Sequence, residues 1–305
     1  MKTHAHLSIG AIFLSLALVS CEDKISPTLE NAAPILAVDA WINNKPGKQV
    51  VVLSQTQGYF DATNPPGITG ALVTIINNSG KVYSFVEDPL SVGNYVWMPA
   101  ANEVFGPVGQ SYTLAIQLNG ESFRASSRMG RVPAIDSISF ETEKRIGSLD
   151  SITRAEFWAT DPVGSSDTYW IRSFKNGASL SKPQEINIAY DGGFSAGGVA
   201  DGVVFITPIR RQINSVDKDA DGKQLSPIAI GDSINVQIHS VTLAAFDYLN
   251  QVSIQTNRPG GFQELFSTPL ANVSTNVTNT NINGSKAIGF FNVSAVSTAG
   301  KRYKK

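Results

Sequence analysis

One cysteine occurs in the 305-residue chain, and the residues around it define its chemistry. Cys21 closes the run Leu18-Val19-Ser20-Cys21 directly behind an apolar stretch. A thiol there suits acylation. It accepts a diacylglycerol, the small or branched side chains before it admit a peptidase, and the amine freed by cleavage takes an N-acyl chain. Leu18, Val19 and Ser20 are then the recognition positions of a bacterial lipobox. One buried acyl chain, at about 0.8 kcal/mol per CH₂, gives only reversible binding, whereas several on one residue hold a protein at a bilayer. The competing reading is an inert buried cysteine beside an ordinary signal peptide; four matching positions at the end of the apolar run disfavour it. With Cys21 consumed by lipid, no thiol remains for disulfides, zinc-thiolate sites or cysteine nucleophiles.

Other residues offer weaker chemistry. In "DKDADG", Asp217, Asp219 and Asp221 have the spacing of calcium ligands ahead of Gly222. Position 12 of such a loop supplies a bidentate Glu, but here it is Ile228. Lys218 and Lys223 also cut the local charge, although Asp232 is placed to fold back; a polar exposed loop is the favoured reading. His239 is the one histidine after the export signal, and it shares a strand face with Asn235 and Gln237, which predicts a solvated side chain. No G-x-S-x-G elbow accompanies it. "DGGFSAGGVADG" lacks the Lys-Ser/Thr of a phosphate loop and reads as a mobile loop. Trp41, Trp97, Trp158 and Trp170 are candidate platforms for sugar or protein, with core packing as the default for each. Adjacent Tyr169 and Trp170 must point to opposite faces of a strand. The ending "KRYKK" reads as a solvated tail.

The elements that position these residues are mostly strands. Lys2 and the thirteen uncharged residues "LSIGAIFLSLALV" read as a signal peptide over 1–20, too short for a bilayer core of about 30 Å. Residues 21–33 read as a lipidated tether. From Pro34, "PILAVDAWI" alternates, with Leu36, Val38, Ala40 and Ile42 as the better core face. "KQVVVLSQT", "GALVTII", "KVYSFVED", "SYTLAIQL" and "ESFRASSRM" follow, with hairpin turns predicted at "NNSG" and Asn119-Gly120. Short strands with turns every 8–12 residues predict an immunoglobulin-like β-sandwich over 34–133. A second β-rich domain over 134–305 takes strands at "IDSISFE", "RAEFWAT", "TYWIRSF", "EINIAY", "GVVFITPI" and "DSINVQIHSV". It holds one clear helix, "TLAAFDYLNQVS", with Leu243, Phe246, Leu249 and Val252 as the expected buried stripe. The fold class is mainly β. A net charge of -1 asks for no nucleic-acid partner.

Several stretches together resemble the bacterial outer-membrane lipoproteins of the domain-of-unknown-function 4249 family. They are the lipobox, "LAVDAWI", "PGKQVVVLSQTQGYFD", "PPGITGALVTI", "VPAIDSI", "GDSINVQIHSVTLAAFDYLNQV" and the late "STPLANVSTNV" and "NGSKAIGFFNVSAVS". They depart from the family pattern at Ala40, where a glycine is expected, and in a looser ending. The resemblance implies an envelope location and association with TonB-dependent outer-membrane transport systems; the expected setting is an outer-membrane lipid anchor facing periplasm or cell surface, and the expected partner a TonB-dependent receptor or a glycan. It supplies no catalytic residues. Glu22 and Asp23 resemble the acidic export signals of surface lipoproteins. The expected role is a non-enzymatic binding or accessory component. The alternatives are a hydrolase of envelope or dietary glycans acting through paired carboxylates, or a structural or adhesive surface module.

Overall fold

Alternation along the first strand sets where the core begins. In β1 (Leu36–Asn43) the side chains of Leu36, Val38, Ala40 and Ile42 are buried, as the period-two pattern predicts. Six strands follow: β2 (Gln49–Gln55), β3 (Leu72–Asn77), β4 (Val82–Glu87), β5 (Asn94–Trp97), β6 (Ser111–Leu118) and β7 (Glu121–Arg128). They pair antiparallel in the order β7-β6-β3-β4-β5-β2-β1. The computed structural model describes residues 33–58, 61, 63–101, 103–144, 151–164, 166–196 and 199–304.

Turn chemistry fixes the registers. Asn77 Oδ1 accepts the N–H groups of Ser79 (3.1 Å) and Lys81 (2.9 Å), and Gly80 takes φ +83°, so the chain reverses between β3 and β4. Asn119 (φ +50°) and Gly120 (φ +81°) are both left-handed, the conformation a two-residue hairpin loop requires, and Leu118 pairs with Glu121 across them. The sheet wraps round one core, where Tyr83 stacks on Phe105 at 4.1 Å and meets Trp97 edge-on at 5.2 Å.

Beyond Pro133 a second core forms. β8 (Ile135–Lys144) and β9 (Ser151–Ala159) make an antiparallel pair. β10 (Thr168–Lys175) is flanked by β11 (Ala178–Ser179) and β12 (Asn187–Tyr190) on one edge and β13 (Ser233–Val241) on the other. Phe157, Tyr169, Ile171, Phe205 and Ile238 are buried between these strands. Two α-helices belong to this half, α1 (Thr207–Arg211) and α2 (Leu243–Thr256). The chain then turns back. β14 (Thr278–Asn279) pairs with β7, β15 (Ala287–Ser294) lies parallel beside β1, and β16 (Val296–Arg302) returns to β13. Val277, Phe291 and Val293 thereby enter the first core, so the expected boundary at Pro133 is crossed again by the end of the chain. The fold is mainly β, as the strand patterns imply.

Strands and side chains together nearly close the nine-stranded sheet. Between β15 and β7, Asn276 accepts the Phe291 N–H (2.9 Å) and donates to the carbonyls of Phe291 (2.8 Å) and Ser126 (3.3 Å). Ser127 Oγ accepts the Val293 N–H at 2.9 Å. Pro34–Gln57 and Ala62–Lys305 form one compact unit; of the other, residues 1–33 and 58–61, the described part includes a hydrogen bond from Gly58 N–H to Asp61 Oδ2 (3.1 Å).

Three sequence expectations are corrected. "GVVFITPI" is not a strand: Pro208 begins α1, since proline lacks the N–H that a ladder needs but suits a first helical turn. In α2, Leu243 is 54% exposed and Ala245 takes a buried place with Phe246 and Leu249, because strict three-residue spacing drifts off one face of a 3.6-residue helix. The ending is not wholly a solvated tail, as β16 runs to Arg302 and Tyr303 packs on Phe140 at 4.9 Å.

Gly289 sits opposite Val38 with φ +90°, and a Cβ there would fall on the Val38 carbonyl oxygen. Gly289→Ala is therefore expected to cost about 3 kcal/mol through backbone strain and overlap. Urea denaturation measures it. An unchanged midpoint would show that β1 and β15 do not approach this closely.

Candidate functional site

The outer face of β1 carries Ala37, Asp39 and Trp41, and its parallel partner β15 sets Phe290 beside Asp39 and Asn292 beside Trp41. Asn292 is fully buried and fixes the neighbouring elements. Its Oδ1 accepts the Thr242 N–H (3.1 Å) and its Nδ2 donates to the Ser240 carbonyl (3.3 Å). Thr242 in turn caps α2, its Oγ1 accepting the Ala245 N–H at 3.2 Å. The helix thus starts at a fixed point and lays Tyr248 over Phe290, with ring centroids 4.8 Å apart. Trp41 stacks on Phe290 at 6.0 Å, and Trp170 from β10 meets Trp41 edge-on at 4.9 Å.

Next to this cluster lies a groove of about 310 Å³. Ala37 and Asp39 line it with Ser54 of β2, Ile288 of β15, Tyr248 of α2 and Asn272. Asp39 is open to solvent but walled in by its neighbours. That loss of surrounding water pushes its carboxyl above the usual range, opposed by the Arg172 charge and a hydrogen bond from Trp41. Arg172 stands over the ring of Trp170 at 4.8 Å and of Phe174 at 5.5 Å. Among the described residues it makes no hydrogen bond or close ion pair, and burial lowers its pKa against the pull of Asp39. A carboxylate and a guanidinium thus face each other's field beside aromatic rings, with hydrogen-bonding capacity unused.

His239 borders the same cluster, its ring 6.1 Å from that of Trp170 and its Nε2 3.1 Å from Gln237 Oε1. The expectation of a solvated histidine is overturned, since it is only 6% exposed. Alternation chose the correct face, but Trp170 and its neighbours cover that face. Burial first, then the positive charges of Arg172 and Lys45, push His239 down to about 3.

Leu18, Val19, Ser20 and Cys21 lie outside the described residues. Among the described residues, the carboxylates of Asp217, Asp219 and Asp221 do not gather as a group of metal ligands. Asp217 pairs with Lys182, and Asp219 Oδ1 accepts the N–H groups of Asp221 (3.1 Å) and Lys223 (2.8 Å). Asp232 does not fold back to them but pairs with Lys175 at 3.2 Å. The structure instead gathers Asp161, Asp191 and Asp201, with carboxylate oxygens within 4.8 Å of one another. Each holds a backbone N–H, of Gly202 (3.1 Å), Asp167 (2.9 Å) and Gly164 (2.9 Å) respectively. Asp161 also accepts the Tyr169 hydroxyl at 2.6 Å, and burial raises its pKa. These bonds, with Gly192 N–H on the Ala200 carbonyl (2.9 Å), pin the described part of the glycine-rich loop expected to be mobile. Asp191 and Asp201 bracket the glycine-rich stretch "DGGFSAGGVADG", but no sequence signal joined them to Asp161, which follows β9 some thirty residues earlier.

Of the four tryptophans, Trp97 is core and Trp158 lies under the Arg210 guanidinium at 3.8 Å. Trp41 and Trp170 meet at the groove. Tyr169 is fully buried while Trp170 is partly open, so the pair does point to opposite faces. Among glutamates, Glu141, Glu143 and Glu156 cluster, but Arg211 pairs with all three, with Arg154 and Arg210 adding to the neutralisation.

Fold and groove define a mainly β protein with a pocket between β1, β2, β15 and α2 beside an aromatic cluster, and no helix among the described residues is long and apolar enough to cross a membrane. The chain belongs to the family described as a domain of unknown function (DUF4249), whose model matches residues 22–299. No curated protein matches it.

His239 generates a pH prediction. Below about 6.5 the unfolded chain binds a proton that the folded chain refuses until about 3, so stability falls as pH drops through that window. His239→Gln removes this contribution. Between pH 7 and 3 the wild type should lose on the order of 4 kcal/mol more than the variant in denaturant titrations. Parallel pH profiles would refute the neutral buried histidine.

Proposed function

We propose that this chain is a lipid-anchored envelope lipoprotein, attached through Cys21, that acts as a binding or accessory component alongside a TonB-dependent outer-membrane transport system. The groove carries the binding part of this reading. Asp39 lines it with Tyr248, and Arg172, without a hydrogen bond or ion pair among the described residues, stands over Trp170 where that ring meets Trp41, so donors and acceptors remain for something outside the chain. Membership of the family supports the envelope setting, and the family match starts at residue 22, directly after the expected acylated cysteine. The neutralisation of Glu141, Glu143 and Glu156 by arginines weighs against a glycan hydrolase at that cluster.

Two measurements test the reading. Metabolic labelling with an alkyne fatty acid should tag the wild type and not Cys21→Ser, and the variant should leave the membrane fraction. Crosslinking of the anchored protein followed by mass spectrometry should recover a TonB-dependent receptor. Equal labelling of both forms would remove the anchor, and recovery of no envelope protein above background would remove the partnership.

A further inference from the structure

We propose that the groove between Asp39, Tyr248 and Ile288, together with the adjoining Arg172, is a binding site for a short segment of a neutral saccharide chain. This rests on the reading of the protein as a binding component and names the ligand class of that site.

The chemistry follows from what the groove offers. Asp39 when ionised only accepts hydrogen bonds, and Arg172 only donates them. Sugar hydroxyls suit both, because each hydroxyl donates and accepts. The two opposite charges lie within each other's field, so the site carries little net charge and gives no long-range pull toward an anion or a cation. Its other lining residues, Ala37, Ser54, Ile288 and Asn272, are uncharged. Tyr248 adds a ring whose far side rests on Phe290, giving an apolar surface for the C–H groups of a sugar ring. A volume of about 310 Å³ is at the small end of ligand pockets, which fits a few sugar units rather than a folded partner.

The acid and the arginine are also held ready. Arg172 is oriented by two aromatic faces rather than by an anion, so its fork of donors stays available. Asp39 lies on a strand paired on both sides, with β2 and β15. A site on such a frame needs little ordering when a ligand arrives. By contrast, Glu156 is held by Arg210 at 2.9 Å and Arg211 at 3.3 Å. Those charges serve the fold.

Isothermal titration with maltohexaose, cellohexaose, xylohexaose, mannohexaose and chitohexaose tests the site, with the uncharged-side-chain peptide Gly-Ser-Gly-Ser-Gly-Ser as the comparison. At least one saccharide is expected to bind and the peptide to fail. Asp39→Asn and Arg172→Gln should each weaken that binding about tenfold, the loss of one charge-assisted hydrogen bond. Trp158→Phe, on β9, should leave it unchanged. Near-UV circular dichroism checks that each variant keeps its tertiary packing. Binding of none of the five saccharides, or binding that folded Asp39→Asn and Arg172→Gln both leave intact, overturns the proposal. Binding of the peptide alone reassigns the site to peptide ends and overturns it equally. Crosslinking to a receptor does not depend on these results, so failure here and failure of the transport partnership are told apart.

Discussion

The close parallel approach of β15 to β1 is the constraint on which the other features depend. Parallel neighbours cannot be joined by a tight turn and need a crossover. Here the crossover contains nearly everything else, from β2 through the second core to α2. Both strands therefore work on two faces. Phe291 and Val293 fill the first core, while Phe290 meets Trp41 and Tyr248 on the other side, and Asn292 reaches Ser240 and Thr242. A slip of one residue would exchange these faces. Gly289 is the position that lets the two backbones come together.

The same return solves an edge problem. An antiparallel sheet that ended at β7 and β1 would present two rows of unpaired backbone groups. β15 covers the β1 edge, β14 covers Phe123 and Arg124 of β7, and side chains fill the gap that remains between β15 and the rest of β7. Asn276 imitates a backbone unit there, offering one acceptor and one donor to Phe291, and Ser127 serves Val293. Side-chain amides suit this because they carry the same groups as a peptide but leave the spacing of the strands free.

Charge is handled in two ways within one protein. Around α1, Arg210 and Arg211 are matched to Glu141, Glu143 and Glu156, which ties the helix to β8 and β9. At the groove, Arg172 and Asp39 are left with field but without close contact, and His239 near Arg172 stays neutral chiefly because it is buried, and further because a proton would add a third cation to Arg172 and Lys45. A neutral imidazole there keeps the aromatic cluster from repelling its own guanidinium. Matched pairs position elements, whereas unmatched groups beside an opening keep their hydrogen-bonding capacity for something outside the chain.

What was legible in the sequence was local. The buried face of β1, the turn at Asn77–Gly80 and the Asn119-Gly120 hairpin follow from period-two alternation and from residues that accept positive φ, which neighbours in the chain decide. Trp41 and Trp170 were legible as candidates but not as a pair, because they stand 129 positions apart in the chain and the contact between them is made only in the folded protein. His239 fails for the same reason: alternation assigns a side chain to a face and cannot say whether that face is buried, as it is here beside Trp170. The aspartates mark the opposite error. Close spacing in "DKDADG" suggested a cluster, yet a carboxylate on a tight turn can be captured by its own backbone, as Asp219 is, while Asp161, Asp191 and Asp201 meet because the two ends of the glycine-rich loop converge on the loop after β9. Chemistry that needs convergent groups is built by long-range pairing, and in this chain that pairing is carried by residues as plain as Gly289 and Asn292.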